Sequence, residues 1–378
     1  MVVLLELFRD RLDQRVLLER IPDATPDRLD QLEEGLGVHF LLTDKQHVGE
    51  DVVVTLAKFV EEHGLTPRRQ GLEARRVYRP PSLDTVDQLD LVVVGASSRD
   101  LASADVRGWR LGGSATYCSL AAARLGLRVG CLLGVDGEAF DRAGADFELL
   151  ESAGVRLRLE RLDHAPVFEN IEQDGHRRQR WLSRSDRVRV EALPAAWRIA
   201  AGWLLVPVAG EVGEDWAGVL PPGAAVGLGW QGLLREFADD GWVERVAPGP
   251  SALLEAAGIV VASVDDLPPQ TGLEALRALA PKAAIALTAG QGGGVVARGG
   301  ELVRYHAAPA LRAVDPTGAG DVFMAALMVA WLLTGELATP RTLRFAAAAG
   351  SCAVEGVGLA GAPTKAQVAA RIRPVASS

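Results

Sequence analysis

This chain's sequence predicts an α/β fold: a mainly parallel central sheet covered by helices, with a small β lid and an extra helical region at the amino terminus. Three observations carry that expectation. From Asp90 onward, short apolar runs of strand type alternate with helical stretches, as a parallel sheet with helical crossovers requires. One polar, alternating segment interrupts the series around Asp174-Gly175, a hairpin turn signal. Near the carboxyl end, a glycine-rich turn runs straight into a long apolar helix.

The elements follow in order. Residues 1 to 86 read as helical: Val3 to Leu18, Thr25 to Leu36 with its Thr-Pro start, and Asp51 to His63. They carry no catalytic motif, so the expected division is a helical accessory region over 1–86 and a catalytic domain over 87–378. Leu91 to Gly95 is a continuous β-branched run suited to a strand buried on both faces. Ser114 to Leu125 reads as a helix stopped by Gly126, and Leu127 to Val135 as the next strand. Further strands are expected at Trp203 to Val208, Ala224 to Leu228, Ile259 to Ala262, Ala283 to Thr288 and Val295 to Ala297. The hairpin over about 167–182 is polar enough to stand off the main sheet and cover a cleft; on pattern alone an edge hairpin fits as well.

Composition narrows the function classes. With 378 residues, 48% hydrophobic and 24% charged, the chain has the make-up of a globular protein with one large domain and an appendage. A net charge of −9 argues against a broad nucleic-acid footprint, although Arg177, Arg178 and Arg180 cluster locally. The apolar run from Val322 to Leu333 is short of the roughly 20 residues needed to cross a bilayer, and the amino terminus lacks a signal-peptide core, so a cytoplasmic protein is expected. Cys118, Cys131 and Cys352 have no metal-type spacing and read as buried, reduced thiols.

The chemistry sits in Asp315-Pro316-Thr317-Gly318-Ala319-Gly320-Asp321. Bare backbone N–H groups and the positive end of the following helix make an anion cradle. Asp321, in the first helical turn, is placed to take a proton from a hydroxyl beside a bound phosphate. The run is neither a phosphate-binding loop with a Lys-Ser/Thr ending nor a dinucleotide fingerprint. Taken residue by residue, it could also be a capped helix after a glycine turn.

Residues 315 to 328 resemble the carboxy-terminal signature of the ribokinase-like (PfkB) carbohydrate kinases, and the likeness in order of strands and motifs extends from about Asp90 to Arg373. The resemblance implies that Asp321 is the catalytic base and that the amides of Gly318, Ala319 and Gly320 form the anion hole. It implies that Asp315 and Thr317 help hold a monovalent cation such as K⁺. Asp100, five residues after Gly95, matches the family's acceptor-binding aspartate, and Gly112-Gly113 match its paired glycines. Thr288, Gly290 and Gly293 match the strand-end loop along ATP. Ser263 and Asp266 stand where the family's Asn-x-x-Glu motif organises Mg²⁺ and phosphates.

Three positions depart from the pattern: Tyr117 in place of an Asn, Ser263 with the short-armed Asp266, and Ala347 in the adenine-flanking helix. A weaker likeness to a branch containing inositol kinases rests on Phe168-Glu169-Asn170, Pro207 to Glu211 and Gln231 to Arg235, which would put Asn170, Glu211 and Arg235 near a polyol. The expected activity is ATP- and Mg²⁺-dependent phosphorylation of a hydroxyl on a small sugar or cyclitol, with no nucleic-acid or membrane partner and a homodimer left open through the lid. A nucleoside kinase of the same fold, or a weakly catalytic sugar or nucleotide sensor, are the rivals.

Overall fold

The computed structural model describes residues 2–6, 15–19, 39–41, 88–173 and 176–372. The chain divides into two compact units, Met1–Val77 and Tyr78–Ser378. In the first, β1 (Val2–Glu6), β2 (Arg15–Glu19) and β3 (His39–Leu41) form an antiparallel sheet in the order β2-β1-β3. This corrects the helix expected over Val3 to Leu18. The two apolar runs, Val2 to Leu5 and Val16 to Leu18, are contiguous rather than helically spaced, and pairing them in the register Leu4↔Leu17 joins them directly. The helices expected at Thr25 to Leu36 and Asp51 to His63 lie outside the described residues.

The second unit is built on a nine-stranded sheet. Its members are β4 (Leu91–Ala96), β7 (Val129–Val135), β8 (Arg156–Arg161), β11 (Gly202–Leu205), β12 (Ala225–Gly229), β15 (Ile259–Ser263), β16 (Ala284–Thr288), β17 (Gly294–Arg298) and β18 (Glu301–Tyr305). The order is β18-β17-β16-β15-β12-β11-β4-β7-β8. All neighbours from β16 to β8 are parallel, while β17 and β18 close one edge antiparallel.

Both faces are buried, as the unbroken apolar strands require. In β4, Leu91 and Val93 enter one core while Val92 and Val94 enter the other. The first core is covered by α1 (Ser114–Arg124), which follows Gly113, and by two carboxy-terminal helices. Short helices α2 (Gly137–Arg142), α3 (Gly144–Ser152), α4 (Ala252–Ala256) and α5 (Leu273–Leu279) serve the crossovers. The two carboxy-terminal helices are α6 (Ala319–Thr334) and α7 (Pro340–Ala353); α8 (Lys365–Ile372) packs behind them. The second core is built differently from the helical cover that alternation suggests. Much of it is lined by 3₁₀ turns carrying Trp197 and Trp216, with Trp203 and Trp230 contributed by β11 and the end of β12. Aromatic side chains, burying roughly 150–250 Å² each, close this face where few α-helices are available.

A smaller four-stranded sheet, ordered β10-β9-β5-β6, stands apart from the nine strands. It contains the expected hairpin, β9 (Val167–Gln173) and β10 (His176–Ser183), together with β5 (Ser98–Leu101) and β6 (Trp109–Gly112). The last two strands were not anticipated from sequence. They are short, and Ala102 to Gly108 joins them through polar turns. A two-stranded piece, β13 (Arg235–Phe237) with β14 (Val243–Arg245), abuts β10 through an isolated bridge between Arg180 and Trp242. Arg178 lies 3.8 Å from the Trp242 ring centre, and Arg180 pairs with Glu169 at 3.4 Å, so these cations engage local partners.

Candidate active site

Asp321 opens the first turn of α6, a helix so apolar that all but its ends are buried between the sheet and α7. That packing fixes where the helix begins. The preceding loop is anchored by the N–H groups of Val314 and Asp315, which donate to the Val354 carbonyl at 2.7 and 3.1 Å. Gly318 then adopts the left-handed conformation with φ +78°, and a Cβ there would strike the ring of Tyr117. Tyr117 is buried on α1, so an aromatic ring backs the turn at the position where the resembling kinases carry Asn.

Beyond Gly318 the helix start has no side-chain cap. The Ala319 N–H turns back toward the Pro316 carbonyl at 3.3 Å, a long bond. Gly320 is exposed, and a Cβ built on it meets nothing within 4 Å. An uncapped helix start beside open space suits an anion. Asp321 itself is partly buried. Burial, above all, raises its carboxyl to about 6; Asp266 and Asp100 act in the same direction, while the Ser114 side-chain hydrogen bond and Arg235 oppose it. A carboxylate tuned toward neutrality is suited to accept a proton from an alcohol.

Asp100 sits on β5, opposite Arg110 on β6, and its Oδ1 accepts from the Ser98 hydroxyl at 2.9 Å. On the neighbouring strand Phe168 is its register partner, so Asn170 shares its face of the lid sheet. Asn170 Oδ1 accepts from Gln179 across the hairpin at 3.0 Å. The paired glycines have a structural reason first: a Cβ on Gly112 would meet the Asp100 carboxylate, and one on Gly113, at φ +95°, would meet the Ala96 carbonyl. The Asp100 segment can lie against α1 only because both side chains are missing.

Asp266 follows β15 in a capping box with Ser263, whose N–H donates to Oδ2 at 3.2 Å. Gln231 donates to Oδ1 at 3.1 Å, and Arg235 stands 3.8 Å from the same oxygen. The residues replacing Asn-x-x-Glu therefore form a compact, internally bonded turn. Ser263 pairs across the sheet with Thr288 of β16, whose hydroxyl donates to the Ala262 carbonyl at 3.3 Å. Gly290 and Gly293 shape the following loop with φ +51° and +80°, and a Cβ on Gly293 would collide with the Tyr305 carbonyl. Tyr305 in turn stacks on Phe323 of α6 with ring centres 5.1 Å apart. Ala347 lies buried on α7.

The structure thus brings Asp100, Asp266 and Arg235, from separate elements, each within electrostatic reach of Asp321. One expectation changes. Glu211 is wholly buried and accepts from the N–H groups of Ala96, Val208 and Ala209 at 2.8–3.0 Å, so it ties β4 to the loop after β11 and meets no polyol. Asp315 accepts from the N–H groups of Thr317 and Gly358 at 2.9 and 3.2 Å and faces Arg110 at 3.9 Å. Burial opposes its ionisation, but the Thr317 bonds, the Gly358 N–H and Arg110 hold the carboxyl below its ordinary value. The Asp315 carboxylate thus sits between two backbone N–H donors and a guanidinium.

Ser98, Arg110 and Ser114 were missed from sequence. For the first two the available signal was the short alternating strands around them; Ser114 showed only as the first residue of a helix.

Residues 246–365 match the sequence model of the pfkB family carbohydrate kinases. Among solved structures, a pyrophosphate-dependent kinase of the ribokinase family, complexed with a pyrophosphate analogue and myo-inositol, is similar at 18% identity and a TM-score of 0.59. The match covers 74% of this chain and 99% of that one. Arabidopsis thaliana ribokinase, complexed with ribose and ATP, is similar at 19% identity and a TM-score of 0.55, over 76% of this chain and 100% of that one. The Methanocaldococcus jannaschii nucleoside kinase follows at 17% identity and 0.55, over 75% and 98%. No curated protein matches the chain. The family likeness is thus confined to residues 246–365, and the described second unit has the ribokinase-like α/β fold.

Proposed function

We propose that the protein transfers a phosphoryl group from ATP to a hydroxyl of a small sugar or cyclitol. The observation that carries this reading is Asp321, partly buried and raised toward neutrality, in the first turn of an uncapped helix beside the open Gly320. The acceptor would lie between Asp321 and the lid residues Asp100 and Asn170, whose carboxylate and amide oxygens can accept hydrogen bonds from hydroxyl groups.

Asp321 takes the hydroxyl proton as the acceptor oxygen bonds to the terminal phosphorus. The bond from that phosphorus to the bridging oxygen breaks, and its electron pair leaves with the nucleoside diphosphate. The N–H groups at Gly318 to Gly320 and the helix dipole offset the charge on the transferring group. Thr288, Gly290 and Gly293 line the nucleotide side.

The residues present fit a magnesium–nucleotide donor in one respect. Among the described residues no cluster of three His, Cys, Asp or Glu side chains could hold a metal alone, and Mg²⁺ ordinarily arrives through substrate phosphates with one or two carboxylates. Asp266 is the carboxylate for that indirect role, and the ion would offset phosphate charge.

The test is a turnover screen of the purified full chain over pentoses, hexoses, inositols and nucleosides, with ATP and with pyrophosphate as donors. Phosphorylation of a sugar or cyclitol is expected. A response to nucleosides alone would transfer the reading to a nucleoside kinase, and silence throughout, with sugar or nucleotide binding intact, to a sensor.

A further inference from the structure

Among the charges bearing on Asp321, Asp266 and Asp100 are negative and Arg235 is positive. Arg235 opens β13, just past the turn that ends β12, and is only 13% exposed. Its guanidinium stands 3.8 Å from Asp266 Oδ1, donates to the Val208 carbonyl at 3.4 Å, and lies 5.8 Å from the Phe168 ring centre under the lid sheet. A guanidinium presents five donors in a flat fork, so it can serve an incoming oxyanion while it keeps its place beside Asp266.

The charge pattern calls for such a group. A phosphoryl in transfer spreads negative charge over three oxygens, and here it must approach three carboxylates. Asp266 already takes a hydrogen bond on each oxygen, from Gln231 and from the Ser263 N–H. The apolar cover from Phe168 and the neighbouring Phe237, whose rings stack at 6.3 Å, lowers the local dielectric and strengthens a charge contact beneath it.

We infer that Arg235 binds the transferring phosphoryl group of the donor, holding it between Asp266 and Asp321; this rests on the kinase reading above. In that position the guanidinium does for the acceptor-facing side of the phosphoryl what the amides at Gly318 to Gly320 do for the helix-facing side.

The experiment compares wild type, Arg235→Gln and Arg235→Lys on the acceptor found by the screen, with donor and acceptor varied separately. Arg235→Gln is expected to raise the donor KM and lower kcat, each by about tenfold or more, with the acceptor KM within about twofold of wild type. Arg235→Lys, which keeps the charge, should recover part of kcat. Removing a positive charge that favours ionised Asp321 should also move the acid limb of the kcat–pH profile to higher pH, a change that loss of packing alone would not cause.

An unchanged donor KM, a rise confined to the acceptor KM, or an unmoved acid limb would each overturn the inference, whatever happens to the melting temperature. If wild type phosphorylates nothing, the kinase reading fails separately. Calorimetric binding of inorganic pyrophosphate to the full chain then decides for Arg235: about tenfold weaker binding by Arg235→Gln supports it, and equal binding overturns it.

Discussion

At the scale of single residues, Asp321 carries opposing consequences for activity and stability. Its folded pKa, about 6, lies above the ordinary carboxylate value of 3.8, so the folded state binds the proton more readily than the unfolded chain. Between those values stability declines as pH rises, and the ionised carboxylate is destabilising above them. Asp321→Asn should therefore abolish turnover by orders of magnitude while raising the melting temperature near about pH 8 and changing it little near about pH 4; thermal melts at the two pH values check this. In wild type the acid limb of kcat/KM should fall near pH 6, below which the base is protonated; a flat profile down to about pH 5 would remove Asp321 from the role. Gly318→Ala must bear both a left-handed backbone and a clash with Tyr117. A loss of about 2–4 kcal/mol is expected in denaturant titrations, with turnover reduced because the helix start moves.

At the scale of elements, two fastenings position the site. Glu211 holds the ends of β4 and β11 through three backbone N–H groups, all of them buried or nearly so. Burial raises its carboxyl, and the N–H bonds pull in the opposite direction. Replacing it by Ala strands those donors, so Glu211→Ala should cost about 3–5 kcal/mol in chemical denaturation, far more than an exposed glutamate would. Arg99, on β5, fastens the lid sheet by bonding Asp136 at 2.9 Å and Glu138 at 2.8 Å at the head of α2. This pairing, with Trp109 beneath the guanidinium at 5.7 Å, keeps Asp100 on the next residue in place. The strand alternation made the large sheet readable, while β5 and β6 escaped because four-residue strands with mixed burial leave almost no periodic trace.

At the scale of the whole molecule, the chain divides into two compact units, Met1–Val77 and Tyr78–Ser378. A chain beginning at Tyr78 is expected to fold and retain phosphoryl transfer, because the proposed site residues all belong to the second unit. Turnover of that truncated chain against the full one, with circular dichroism as a control for folding, measures the contribution of the first unit. Loss of activity in a well-folded truncation would assign the amino-terminal residues a part in the site.

Much of the proposed chemistry is legible locally, because an anion cradle with a base needs neighbours in sequence: glycines at Gly318 and Gly320, a helix start, and Asp321 in its first turn. The central strands were legible for a similar reason, since burial on both faces demands unbroken apolar runs such as Leu91 to Val94. What only the tertiary structure decided was the surroundings of those groups. Asp266 and Arg235 are far from Asp321 along the chain, yet their charges help set its proton affinity. Glu211 read as a candidate ligand contact until packing surrounded it with amides. The sequence by itself determined which groups are candidates for the proposed transfer. The fold decided which charges act on Asp321, because burial and charge depend on what lies nearby in space rather than on distance along the chain.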